Sequence, residues 1–278
     1  MITFFICLTL LVAAYFIYGR ALEKVVDIDA SAPVPSETHY DGVDYMPLPR
    51  WRIFLIQLLN IAGTGPIFGA ILGACYGPVA FVWITLGGIL MGAMHDFVAG
   101  VISLRNEGRS LPETIGKYLG RNMYRLSMVV IPILMVLVGG VFIVTPSKIL
   151  ASMTDMPYLV WVGVVIVYYF IATILPVDKI IGKIYPLFGA ALIFMALAMF
   201  GVVVVGDYEI PELLSLSNEH INAENLPIVP TLFISIACGA ISGFHATQSP
   251  LMARCVTSEK QCRPVFFGAM ISESVIAL

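Results

Sequence analysis

Asn60-Ile61-Ala62-Gly63-Thr64-Gly65-Pro66-Ile67 lies in the middle of an apolar run from Trp51 to Tyr76, a run long enough to cross a bilayer. Two glycines and a proline interrupt the helix there, and the proline removes a backbone donor where lipid offers no replacement. Non-helical backbone at that depth must be buried in protein or line a wet cavity. Small residues also serve plain helix packing in membranes, but the added proline favours a functional break. Thr64 and Gly65, with Gln57 and Asn60 on the entry side, offer hydroxyl, backbone and amide groups able to hold a solute.

A second interruption has the same character. Gly239 to Gly243, followed by Phe244-His245-Ala246-Thr247-Gln248-Ser249-Pro250, falls in the apolar run Leu226 to Thr247. Working outward from both, further spans are predicted at Met1–Tyr18, Pro78–Leu104, Leu126–Ser147, Pro157–Leu175 and Ile184–Gly206. Tyr76-Gly77-Pro78 is the turn that splits the long block Trp51–Leu104 into a hairpin. The count is seven complete spans and an eighth that opens at Pro264. The interrupted spans are the second and seventh, five apart, so they cross in opposite directions. That is the signature of an inverted five-helix repeat.

The fold expected is therefore an all-α polytopic membrane protein with an inverted five-helix repeat whose second half is incomplete. Residues 1–19 form a membrane anchor, 20–50 a cytoplasmic linker, 51–206 the first repeat and 226–278 the start of the second. The anchor lacks the basic residues that precede a signal-peptide core. The ending on the apolar run Val265–Leu278 implies a longer parent that has lost its carboxyl-terminal part, or a partner that supplies it.

Composition excludes other classes. The chain is 59% hydrophobic and 12% charged, about half the charge of a soluble domain, so a water-soluble enzyme is ruled out. A net charge of -3 leaves no basic field for a phosphate backbone, and nucleic acid is not an expected partner. The lipid bilayer is. With the amino terminus outside, 14 of the 15 Lys and Arg residues fall on the cytoplasmic side, Lys148 alone outside, and the acidic loop Asp207–Asn225 is external.

Asp96 and Glu273 are the acids placed inside spans, and a carboxylate at that depth is costly enough to be functional by default. His95 beside Asp96 suits proton coupling, although neighbours on a helix diverge by about 100 degrees, so one of the pair faces the site and the other does not. The bland reading, a structural pair with Asp96 bonded to another helix or to Arg105, has equal weight. His245 follows the second break and is read as a group that binds an anionic substrate or carries a proton, with a satisfied interfacial histidine as its plain alternative.

Five cysteines in no CxxC pair read as reduced thiols, and neither a metal nor a cofactor is expected. There is no GxSxG, GxxxxGK[ST] or HExxH motif, so acyl-transfer, P-loop and zincin chemistry have no support. A channel would need a polar stripe along several spans, whereas here the polar residues cluster at two breaks.

Four motifs in order, Asn60 to Ile67, His95-Asp96, Lys183-Ile184-Tyr185-Pro186 and Ser242 to Pro250, resemble the carbon starvation protein A family of bacterial inner-membrane transporters. The resemblance covers the chain from Arg50 onward. It implies the fold of amino acid, polyamine and cation type carriers, a bacterial inner-membrane location, and uptake of pyruvate or peptides during nutrient limitation. The expected function is secondary active transport of a small carboxylate or short peptide, coupled to protons. Expected substrate contacts are Asn60, Thr64, Gly65, His245, Thr247 and Gln248; expected proton-linked residues are His95, Asp96 and Glu273. The rivals are an intramembrane enzyme built on His95, Asp96 and His245, and a non-transporting fragment of a carrier.

Overall fold

The computed structural model describes residues 1–63, 65–174, 177–206, 208, 210–240 and 245–278, with side chains at all of these except 174, 177–184, 238–240 and 246. These residues are all-helical, with no strand among them. In chain order the helices that matter are α1 (Ile2–Val26), α2 (Arg50–Ile61), α3 (Gly65–Ala74), α4 (Val79–Arg105), α5 (Arg121–Met153), α6 (Tyr158–Ile174), α7 (Tyr185–Val205), α8 (Phe233–Ala240), α9 (His245–Ala253) and α10 (Gly268–Ala277).

Length and apolar character single out α1, α4, α5 and α7 as membrane-crossing, with α2 and α3 as a fifth if the bent pair is one span. Two further runs read as spans are shorter helices, Tyr158–Thr173 and Ile228–Ala237. At 1.5 Å per residue they are about 24 and about 15 Å long, short of a bilayer core of roughly 30 Å. The break predicted at Gly63–Pro66 is present as an angle of 52° between α2 and α3. Thr64 itself lies outside the described residues, as do residues 241–244 of the second break. The first helix runs past Tyr18 to Val26, into the stretch read as linker.

The chain divides into two compact units, Met1–Leu111 with Tyr185–Leu278, and Pro112–Ile184. In the first, α9 packs along α4, while α10 packs against α1, α2 and the Gly88–Ala93 part of α4. Lipid tails are as apolar as leucine, so burial alone does not drive helices together, and close packing of small residues does. A methyl group on Gly88 would collide with the Ser274 side chain, and one on Gly100 with the Phe266 ring. Both glycines are on α4, and both let the chain of α10 and its preceding turn approach closely. Around them Leu11, Ile53, Phe97, Phe266, Phe267 and Met270 are fully buried.

The two ends of this unit are tied differently. At one, Glu212 accepts the backbone N–H groups of Ile2 and Thr3 at 2.7 and 2.8 Å, and the Glu219 N–H donates to the Tyr76 carbonyl at 3.2 Å. At the other, the Arg105 guanidinium forks onto Glu259, Nε to Oε1 and Nη2 to Oε2, both at 2.8 Å. Arg105 also donates to the carbonyls of Val26 and Asp27, and the Asp29 N–H donates to Glu259. Residues 27–49 are part of this layer: Val34 and Ser36 are buried, Ser36 Oγ donates to the Val256 carbonyl at 2.7 Å, and the Leu48 N–H to the Cys255 carbonyl at 3.1 Å.

Burial by itself would raise the Glu259 carboxyl, but Arg105 and the Asp29 N–H hold it below the ordinary glutamate value. A folded pKa below the unfolded one gives stability that is present above the unfolded value, about 4.3, and lost as pH falls through the folded value. Glu259→Gln should therefore lower stability at neutral pH by about 2 kcal/mol, the partly exposed Arg105 keeping it below the figure for a wholly buried pair. Thermal unfolding in detergent should show that gap near pH 7 and its disappearance near about pH 3.

In the second unit α5 and α6 form an antiparallel hairpin. Trp161 Nε1 donates to Thr154 Oγ1 at 2.8 Å across the turn, and the Tyr169 hydroxyl to the Phe142 carbonyl at 2.9 Å. Ile133, Leu137 and Phe170 are exposed, as side chains facing lipid are.

Candidate functional site

The two acids read as lying inside spans come together on one histidine. Asp96, on α4 nine residues before its last residue Arg105, lies about 14 Å in from that end at the helical rise. His245 opens α9 and Glu273 sits on α10. His245 Nδ1 is 2.9 Å from Asp96 Oδ1 and its Nε2 is 3.3 Å from Glu273 Oε2, so one imidazole stands between two carboxylates. All three side chains are buried. The distances are those of ion pairs, but the angles leave Asp96 Oδ1, both ring nitrogens and both Glu273 oxygens without hydrogen bonds.

His95 is at the edge of this cluster. Its Nδ1 is 3.5 Å from Asp96 Oδ1 while its side chain is 44% exposed, so the pair diverges as helix geometry requires, with Asp96 inward and His95 outward. The alternative partner Arg105 is engaged with Glu259 instead. His245, read as a substrate contact, thus stands among the residues read as proton-linked.

Two further groups belong to the cluster. Gln57 of α2 and Ser249 of α9 are buried, and the Gln57 amide Nε2 donates to Asp96 Oδ2 and to Ser249 Oγ, each at 3.1 Å. In sequence Gln57 reads with Asn60 as an amide beside the first break, and Ser249 as a hydroxyl one residue past Gln248. Neither spacing points at Asp96.

The other expected contacts are spread out. Asn60, one turn after Gln57, accepts the Tyr185 hydroxyl at 2.8 Å. Gly65 begins α3, and the Gly65–Gly69 turn packs against α8, so the helical segments next to the two interruptions lie together. Thr247 is half-buried on α9, and Gln248 is buried with an unpartnered amide nitrogen. Thr64 falls outside the described residues.

What the cluster can do follows from charge. Two carboxylates and one imidazolium carry a net charge of -1, and an uncompensated charge in so dry a place costs several kcal/mol. One further positive charge makes the cluster neutral. A proton shared among the three groups meets that need without moving any helix, and groups this close take up and release protons as a set.

The family model for carbon starvation protein CstA matches residues 1–160 and 143–278. An uncharacterized membrane protein of Haemophilus influenzae is 42% identical over 330 aligned positions, covering 100% of this chain and 89% of that protein. The peptide transporter CstA of Bacillus subtilis is 28% identical, covering 97% of this chain and 55% of its own length. The pyruvate/proton symporter BtsT of Escherichia coli is 26% identical, covering 95% and 46%. The chain spans about half the length of these named transporters. No solved structure matches it.

Proposed function

Because this chain belongs to the carbon starvation protein CstA family, we propose that it is a secondary active transporter, importing a small carboxylate metabolite or short peptide with protons as the coupling ion. The observation that carries this reading is the buried Asp96–His245–Glu273 cluster, two carboxylates on one imidazole at the long apolar helix α4, a set of groups able to take up and release a proton. The relatives named for peptide and for pyruvate/proton transport support the class of cargo, and both cargoes present a carboxylate. The family's name supports a role during carbon starvation.

Alternating access needs elements that move against each other around such a site. The 52° bend between α2 and α3, and the packing of α8 on Gly65–Gly69, support the interrupted helices as those elements and the inverted repeat as their plan. Substrate would meet Asn60, Thr64, Gly65, Thr247 and Gln248 between the interruptions. The end holding Arg105 and Arg254 would face the cytoplasm of a bacterial inner membrane, and the end holding Glu212 and Glu219 the outside.

Uptake of labelled pyruvate and of a labelled dipeptide into proteoliposomes tests this. An inward proton gradient should drive accumulation of at least one of them, and a protonophore should abolish it. Product formation without a gradient would favour the enzyme instead, and uptake indifferent to the gradient would overturn proton coupling.

A further inference from the structure

One buried atom of the cluster has unfinished chemistry. Gln57 uses its amide nitrogen twice, toward Asp96 and Ser249, while its Oε1 is buried and accepts nothing. A buried carbonyl oxygen without a donor loses the hydrogen bonds it would make in water and gains none in return, so this amide is not at rest. An ionised Asp96 has no donor to offer it. A protonated Asp96 has one, because the acid form carries an O–H. A primary amide exchanges its two faces by rotating about its last side-chain bond, with nitrogen and oxygen trading places.

We propose that Gln57 is a positioning residue that reads the protonation of Asp96 and passes it to the interrupted helix. With Asp96 ionised, Nε2 faces it and bridges to Ser249, tying α2 to α4 and α9. When a proton arrives on Asp96, the amide turns so that the Asp96 O–H donates to Oε1; Oε1 then also stands where the Ser249 hydroxyl can donate to it, so the bridge reverses direction and Nε2 gives up both of its acceptors. No bond other than hydrogen bonds changes, and the proton stays on the carboxyl until it leaves for the other side.

Placement makes the signal useful. Gln57 is six residues before Gly63, on the helix that ends at Ile61 ahead of the bend, and Asn60 one turn on is held by the Tyr185 hydroxyl of α7. Turning of the amide therefore resets the contact of α2 with α4 and α9 on one side while the Asn60 side stays fastened. The ionisable groups around Gln57 are few. Asp96 and His95 come from α4, His245 from α9 and Glu273 from α10. The Arg263–Phe267 turn packed on α2 brings Arg263, which pairs with Glu23 at 3.2 Å, and α2 itself carries Arg50 and Arg52 at its start.

The inference rests on the proton-coupled reading, and infrared difference spectra recorded between neutral and acid pH separate the two. The wild type should show an acid carbonyl band that Asp96→Asn removes. In Gln57→Leu that band should move to the higher frequency of an acid with no acceptor, and gradient-driven accumulation should fall about tenfold, the value of one hydrogen bond of about 1.4 kcal/mol. Gln57→Met, similar in volume and also without an acceptor carbonyl, should move the band in the same direction, and it serves if the leucine variant does not fold. An unmoved band and unchanged pH profile in Gln57→Leu would overturn the role of Gln57 alone. Absence of the band in the wild type would overturn the proton reading and this inference with it.

Discussion

Replacing His245 with phenylalanine should leave little folded protein. Among the described residues the imidazole is the one that touches both Asp96 and Glu273, at 2.9 and 3.3 Å, while the half-exposed His95 reaches Asp96 alone at 3.5 Å, and both carboxylates are buried. Removing one member of a buried charge set strands the rest, at a cost of about 3–5 kcal/mol, a large share of the stability of a typical domain. Thermal unfolding in detergent should report that loss. Adding Asp96→Asn and Glu273→Gln to His245→Phe removes the stranded charges and should bring stability back to within about 1 kcal/mol of the wild type, since a neutral set of similar volume is tolerated where a broken ion set is not. Gradient-driven accumulation should stay absent in the triple variant, because none of the three substituted positions can change charge. If His245→Phe alone were as stable as the wild type, His245 would not be the counter-charge of the two acids.

Asp96→Asn should separate accumulation from exchange. The amide side chain keeps the shape of the carboxyl and its contact with Gln57, so the helices around it keep their packing. What it cannot do is change charge. An inward gradient of one pH unit is worth about 1.4 kcal/mol per proton, enough for one coupled proton to concentrate a neutral solute about tenfold. In the variant the ratio of inside to outside substrate should fall to about one with the gradient applied, while exchange of labelled for unlabelled substrate across the membrane continues. Proteoliposomes loaded with substrate measure both in one preparation. Accumulation at the wild-type ratio would remove Asp96 from the coupling route.

Both predictions rest on residues that sequence marked without showing their meeting. Asp96, Glu273 and His245 are conspicuous in any reading of this chain, because an ionisable group in an apolar run costs free energy wherever its partner turns out to be. The break at Gly63–Pro66 is equally legible: glycine and proline act on the backbone that carries them, and the bend between α2 and α3 follows locally. Helical character, apolar lengths and the concentration of basic residues at certain loops are also properties of neighbouring residues, and they too can be read directly.

What three-dimensional packing alone decided is which of these residues touch. Asp96 and His245 are separated by well over a hundred residues, and helical periodicity fixes a side chain's direction about its own axis but not the neighbour it meets. Hence in sequence His245 reads equally as a substrate contact or a proton carrier, and only the packing places it between two acids. Gln57 and Ser249, read in sequence as polar groups beside the two breaks, complete the cluster at Asp96, which neither position announces. The stretch 27–49, proline-rich and acidic like a linker, is held by Ser36 on Val256 and Leu48 on Cys255, contacts for which it carries no local signal. Cost and breakage are written in the chain because each residue bears them alone; partnership is a property of the fold, since it depends on how close small residues such as Gly88 and Gly100 allow the helices to come.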